Sequence, residues 1–240
     1  MLRQAIGLVL ALRKGRATPP DPKPVAVGGA RELVALLVRE LRAGGDASHV
    51  REGSARGASV LVWIGKADED ALRAATRAGV PIVGVTDGES LPYVLDTNLV
   101  VVRPGEGMPV EGIARAIASV LPEGWATLSK RLPELREALV GEAIGRQAKA
   151  NAIAAAGADR AAAVPALTLS QLRLADEIRS AYGARALPVP GGPSLVPLLG
   201  LLTRRLAARL PARRLVRGVI AYAATRAVGE AARRSVRPGS

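Results

Sequence analysis

The chain has no cysteine, which removes disulfides, thiolate-held zinc, iron–sulfur clusters and thiol nucleophiles from consideration. It has a single histidine, His49, so a multi-histidine metal site is excluded and a Ser-His-Asp triad would have to be built on that one residue. Phenylalanine is absent and aromatic residues make up 2% of the sequence, leaving few rings on which bases could stack. Acidic residues vanish over one long stretch, with none between Glu177 and Glu230. What is present is a folding composition. With 49% hydrophobic and 23% charged residues over 240 positions, the chain can build one large core or two small ones.

Thirty-four Lys/Arg against 21 Asp/Glu give a formal charge of +13 and a sequence pI near 11.3. A balance this basic implies an anionic partner, either nucleic acid or a membrane surface. The charge is unevenly placed. Residues 1–130 hold 16 basic and 14 acidic residues, a net of +2, whereas 131–240 hold 18 and 7, a net of +11. Arginine supplies 29 of the 34 basic residues, and alanine is abundant throughout, as a GC-rich coding sequence would give. That bias does not account for the loss of acids after Glu177.

Along the chain, Met1 to Leu12 carries an apolar run from Ala5. Arg13, Lys14 and Arg16 then stand where a secretory signal would place its cleavage site, so we read a short docking or interfacial helix. Thr18 to Pro24 is a stiff, proline-rich linker, closing a first segment of residues 1–24.

Residues 25–124 alternate strand and helix signals. Val25–Val27 is a short apolar run ending at Gly28-Gly29. A helical stripe of Leu33, Val34, Leu37, Val38 and Leu41 comes next, closed by Gly44-Gly45. Ser59–Ile64 and Val80–Val85 read as strands buried on both faces, and Asn98–Val102 as a further strand. Asp68 is positioned to cap a helix running to Ala78 and stopped by Gly79, and another helix spans Val110–Leu121. Strands alternating with helices predict a small three-layer α/β domain on a parallel sheet.

After Gly124 the β signals stop, and residues 125–240 read as an all-α domain. Pro133 fits a first helical turn, and Glu134–Ala156 is a long helix ending near Gly157, with Glu142 and Arg146 spaced for an i,i+4 ion pair. Thr168–Tyr182 is a helix with Thr168 as candidate cap and Gly183 as its stop. A last helix at 212–235 has an inward stripe of Val216, Val219, Ile220, Ala223 and Ala227.

A strand, two glycines and a helix are where an α/β fold would hold phosphate. The residues do not fit that chemistry. Leu33 stands where a P-loop needs its second glycine, Val34 replaces the lysine, and no Ser or Thr comes within reach after it. A dinucleotide fingerprint fails as well, at Ala30 and Leu33. Gly65-Lys66-Ala67-Asp68 resembles a guanine-reading Lys-x-Asp motif but comes two elements too early, and reads better as a solvated turn capped by Asp68. Asp68, Glu69 and Asp70 complement a helix dipole without catalysis, and Asp87-Gly88 is turn chemistry. His49 has no carboxylate partner nearby in the sequence pattern and is expected at a surface or sheet edge. No nucleophile, base and orienting group converge, so no catalytic, cofactor-binding or metal-ligating residue is assigned and the chain reads as non-enzymatic.

The strongest signal is basic and apolar together. Arg204, Arg205, Arg209, Arg213, Arg214 and Arg217 come directly after a wedge of Leu195, Val196, Leu198, Leu199, Leu201 and Leu202. A polybasic cluster beside an apolar wedge suits an anionic leaflet, at about 1 kcal/mol per basic residue. The uncharged run 186–203 includes Pro188, Pro190, Pro193 and Pro197, so its backbone could not satisfy itself in a spanning helix. The plainer alternative is an amphipathic helix packed on its neighbours, with its arginines in water. Trp63 and Trp125 lie outside this region, leaving only Tyr222 near it to stack a base, and no zinc-finger or RNP pattern occurs. Sequence-independent phosphate binding by nucleic acid is therefore the lesser alternative.

Leu167-Thr168-Leu169-Ser170-Gln171-Leu172, Ala181-Tyr182-Gly183 and Thr225-Arg226-Ala227-Val228-Gly229-Glu230-Ala231 together resemble the YcjF-like bacterial domain of unknown function, over about residues 133–235. That domain occurs in inner-membrane proteins and behind Era-like GTPase domains. The resemblance implies that residues 25–121 are a degenerate relative of such a GTPase domain; it implies no activity. Where the family carries a Pro-Gly-Ala-Asp segment held to contact membrane, this chain has Ile153 to Arg160, poor in large aliphatics.

These readings combine into a cytoplasmic protein, peripheral on the inner face of the plasma membrane. Its basic helical domain would meet an anionic membrane surface or a protein partner, and it would need no cofactor. The other readings are an atypical GTP-binding protein or GTPase and a non-specific nucleic-acid binder.

Overall fold

The computed structural model describes residues 23–103, 105–121, 124–157, 160–184 and 214–236, and for 160–165 it describes the backbone. The candidate helix at 1–12, most of the linker, the apolar wedge 195–202 and Arg204, Arg205, Arg209 and Arg213 lie outside the described residues. The described residues fall into two compact units, one reaching to Glu142 and one beginning at Ala143.

The first unit is built on five parallel strands: β1 (Val25–Gly29), β2 (Val50–Glu52), β3 (Val60–Ile64), β4 (Ile82–Thr86) and β5 (Leu99–Val101), in the order β2-β1-β3-β4-β5. The α/β fold with a parallel sheet is as the alternating pattern predicts. β3 and β4 are buried along their whole length, because each is an apolar run flanked by strands on both sides. Five helices belong wholly or in part to this unit: α1 (Arg31–Arg42), α2 (Glu69–Arg77), α3 (Val110–Val120), α4 (Trp125–Arg131) and the start of α5 (Pro133–Gly157). One core cluster unites Ala26, Leu61, Trp63 and Ile82 of the sheet with Leu72 and Ala75 of α2. Ala55 and Ala58 join it from the link between β2 and β3, which is too short for a helix and covers the sheet with small side chains.

Local chemistry sets the boundaries. Asp68 caps α2 as expected, its carboxylate accepting from the Ala71 N–H at 3.1 Å, and Gly79 ends the helix at φ +66°. The α1 stripe buries Val34, Leu37, Val38 and Leu41, but Leu33 is 42% exposed, a correction to the expected stripe. It lies about 100° round the helix from Val34 and so falls on the margin of the buried face. Strand β2 adds to the pattern expected from the sequence. It is a three-residue edge strand, Val50-Arg51-Glu52, too short and too charged to show a period. Helix α4 is a second addition, burying Trp125 and Leu128.

The second unit comprises the rest of α5, α6 (Arg160–Ala181) and α7 (Arg214–Arg234), helical as expected. α5 and α7 run antiparallel: a Cβ at Gly229 would lie 2.7 Å from Ile144 Cγ1, and one at Gly218 would lie 3.2 Å from the Ala152 carbonyl. Three expectations are corrected here. Thr168 is inside α6 and not at its start, because the alanine-rich stretch 161–163 extends the helix upstream to Arg160. Arg146 does not pair with Glu142; its Nη2 is buried without a hydrogen-bond partner. The buried face of α7 is Gly218, Ala221, Thr225, Val228 and Gly229, whereas Val219 is 68% exposed and Ala223 and Ala227 also face outward. Close helix approach is won largely with small residues, and of the larger aliphatics of α7 Leu215 and Val219 point away while Val228 is buried.

The centre of this unit is polar. Asn151 of α5 donates to Thr225 Oγ1 of α7 at 2.9 Å, and Gln171 of α6 donates to the same oxygen at 3.3 Å. Thr225 donates its own proton to the Ala221 carbonyl at 2.8 Å. Ser170 donates to Asn151 Oδ1 at 2.9 Å, and Gln147 reaches Ser170 Oγ at 2.7 Å. Asn151, Gln171 and Thr225 are all buried, so each depends on these partners. Gln171 and Thr225, two of the residues that carry the family resemblance, therefore hold the three helices together.

Candidate functional site

The α/β unit has one place where its topology favours a ligand. β1 starts the sheet, β2 adds to one side of it and β3 to the other. The connections leaving β1 and β3 therefore diverge at their carboxyl ends. In this protein that switch point is tightly packed. Gly29 ends β1 at φ +114°, where a Cβ would overlap the Ile64 carbonyl, and the Ala30 N–H donates to that same carbonyl at 2.9 Å. A single residue, Ala30, connects β1 to α1, and its side chain caps nothing. A phosphate-wrapping loop needs several residues at this point. The Trp63 ring lies against Gly28, where a Cβ would be 2.8 Å from Cζ3, and its indole N–H donates to the Lys66 carbonyl at 2.9 Å. Gly65–Asp68 is a strand-to-helix turn, with Lys66 exposed and Asp68 engaged as the α2 cap. Asp87-Gly88 is a turn held by Thr86 Oγ1, which accepts from the Gly88 N–H at 3.2 Å and donates to the Glu89 carbonyl.

His49 differs from expectation. It precedes edge strand β2 but is only 7% exposed, and it has a carboxylate partner after all, with Asp46 Oδ2 3.3 Å from Nδ1. Asp46 caps the turn Ala47–His49 by accepting from the Ser48 N–H at 3.1 Å and the Ser48 hydroxyl at 2.7 Å, and it also meets Arg131 at 3.3 Å. The Ser48 hydroxyl and the Asp46 carboxylate approach the same imidazole nitrogen, Nδ1. A catalytic triad places them on opposite nitrogens, so this is a capped turn. Ser48's hydrogen bonds hold the Asp46 carboxyl below its ordinary range, helped by His49 and Arg131. Among the described residues, no group of three or more His, Asp or Glu is placed to hold a metal ion.

Of the expected contact residues, the structure places Arg214 and Arg217, at the start of α7. Arg214 is exposed and Arg217 is half-buried. Beside them, Leu215 is 82% exposed, and Val219 one turn later is exposed as well. Ile153 of α5 is 74% exposed. A hydrophobic-period reading misses these three side chains: it puts Val219 on the inward stripe of α7 and gives Leu215 and Ile153 no outward role. The signal that finds them is the small-residue spacing Gly218, Ala221, Thr225, Gly229, which marks the packed face of a helix and turns Leu215 and Val219 outward. No helix among the described residues is long and apolar enough to cross a membrane.

The fold and site define a five-stranded parallel α/β unit joined to a helical unit with a polar centre and a basic, partly apolar surface. No protein-family model, curated protein or solved structure matches the chain.

Proposed function

We propose that this is a non-enzymatic protein that attaches peripherally to an anionic membrane surface, at the cytoplasmic face, through its basic C-terminal region. The observation that carries this reading is the acid-free stretch from Glu177 to Glu230. It holds the apolar wedge 195–202 and the six arginines between Arg204 and Arg217, and runs into an exposed Arg214 at the head of α7. Such a surface attracts anionic headgroups at about 1 kcal/mol per basic residue close to the leaflet. The one-residue β1–α1 connection and the Trp63 ring against Gly28 favour a binding protein over a GTPase. The resemblance of residues 133–235 to the YcjF-like domain agrees with a membrane-proximal role and adds no reaction.

The test is flotation of the full chain with phosphatidylglycerol vesicles. Binding is expected at low salt and should weaken as salt rises. Changing Arg204, Arg205, Arg209, Arg213, Arg214 and Arg217 to glutamine should weaken it by at least about a hundredfold. No binding at low salt, or binding indifferent to those changes, overturns the reading. Micromolar guanine-nucleotide binding with hydrolysis would replace it by the GTPase alternative.

A further inference from the structure

We propose that Ile153, Leu215 and Val219 form a single apolar row on the outer flank of the α5–α7 pair, and that this row enters the hydrocarbon edge of an anionic leaflet. The inference rests on the membrane reading above and adds the side chains that insert.

Helix geometry assembles the row. Gly218 packs against the Ala152 carbonyl and Ala156 of α5, which sets the level at which the antiparallel helices cross. The residue after each contact, Val219 on α7 and Ile153 on α5, is turned by about 100° out of the interface. On both helices the opposite flank carries the buried residues, Asn151 and Ala155 on α5 and Ala221 and Val228 on α7, where α6 supplies Gln171 to the polar centre. Val219 and Ile153 therefore emerge on the side away from α6 at one level, and Leu215 precedes Val219 by one turn on the same side. Their exposures, 68, 74 and 82% for Val219, Ile153 and Leu215, are high for aliphatic residues in an otherwise packed unit.

The rim identifies the partner. Arg214, Arg226 and, one turn before Ile153, Lys149 are all exposed. No acidic residue occurs in the α5 segment from Ala143 to Gly157 or in α7 from Arg214 to Gly229. An apolar centre whose rim, among the described residues, is cationic matches a leaflet edge: acyl chains receive the row and anionic headgroups meet the long basic side chains, which reach outward from their apolar stems. A protein groove of ordinary composition would face that rim with unpaired positive charge.

The chain has no cysteine, so one introduced thiol can carry a unique probe. Full-length Val219→Cys and Ile153→Cys, each labelled with an environment-sensitive fluorophore, should brighten by about twofold or more and shift to the blue on phosphatidylglycerol vesicles, but not on pure phosphatidylcholine. The same label at exposed Leu95 in the α/β unit should stay unchanged. In the unlabelled protein, changing Ile153, Leu215 and Val219 together to serine should leave the thermal melt in place, since all three are exposed, and weaken vesicle binding by about tenfold. If wild type binds the vesicles while both labels stay silent, this inference falls and the membrane reading stands. If wild type does not bind, both fall. Apolar-type emission before any lipid is added would show that the chain's own apolar stretch covers the row, and would also overturn the inference.

Discussion

Two ways of burying a surface meet in this chain. In the α/β unit the inward positions are large and apolar: Val34, Leu37, Val38 and Leu41 on α1, Leu72 on α2, Ile113 and Ile117 on α3, and every residue of β3. In the helical unit the inward positions of α7 are Gly218, Ala221, Thr225, Val228 and Gly229, and the centre is a hydrogen-bonded chain from Gln147 through Asn151 to Thr225 and Gln171. The first arrangement draws on area removed from water; the second adds close backbone approach and satisfied polar groups to a smaller set of buried aliphatics, Ile144, Leu174, Ile178 and Val228. The difference also decides what is left outside. A helix that packs with its small residues has aliphatics to spare, and here they lie beside arginines in the half of the sequence that holds +11 of the +13.

The comparison can be broken most sharply at Trp63. Replacing it with alanine removes the ring against Gly28 and the indole hydrogen bond to Lys66, and should cost about 3–5 kcal/mol in urea unfolding. A cost below about 1 kcal/mol would mean the switch point is not packed by this ring. In the helical unit the matching change is Thr225→Val, which keeps the shape and removes the oxygen. Asn151 Nδ2 and the Gln171 amide then lose an acceptor in a buried site, at a cost of about 1–3 kcal/mol. A neutral or stabilising outcome would show that the Thr225 hydroxyl adds nothing to the apolar packing of this unit. The smallest effect is expected at Asp46, on the surface of the α/β unit. Its carboxyl is held below the ordinary 3.8 by Ser48, so what it contributes is present above that value and is lost as pH falls through its lowered folded value. The stability gap between wild type and Asp46→Asn, tracked by thermal melts, should be small at neutral pH and close as the medium is acidified below the ordinary carboxylate range. A gap that widens in acid would reverse the sign.

Legibility divides along the same line. α1 and α2 carry strong apolar stripes with clear stops, so their spans and most of their buried residues can be read from spacing alone; Leu33 fails only because it sits on the stripe's margin. β2 is lost because Val50-Arg51-Glu52 has no period to detect, and its strand state depends on β1 lying alongside, with Val25 opposite Val50. His49 illustrates a nearer failure: Asp46 is three residues away in sequence, but only the turn that Asp46 itself caps brings the two within 3.3 Å. On α7 the period reading inverts the helix, because it rewards Val219 and Ala223 and gives no weight to glycine and threonine as packing residues. Leu215 and Val219 escape it for that reason, and Thr225 and Gln171 are core contacts that the period does not mark.

The sequence by itself determined the parallel α/β unit, the helical character of the second unit, the absence of thiol and multi-histidine chemistry, and the concentration of positive charge in the second half. These are matters of composition and short-range spacing, which residues carry with them wherever they fold. Tertiary structure alone decided the strand order, the packing of Trp63 against Gly28, the pairing of His49 with Asp46, and which side of α7 faces water. Each of these depends on what another segment, distant or folded back through a turn, places within a few ångströms, and in α7 that neighbour selects the small-residue face because only it lets the backbones approach.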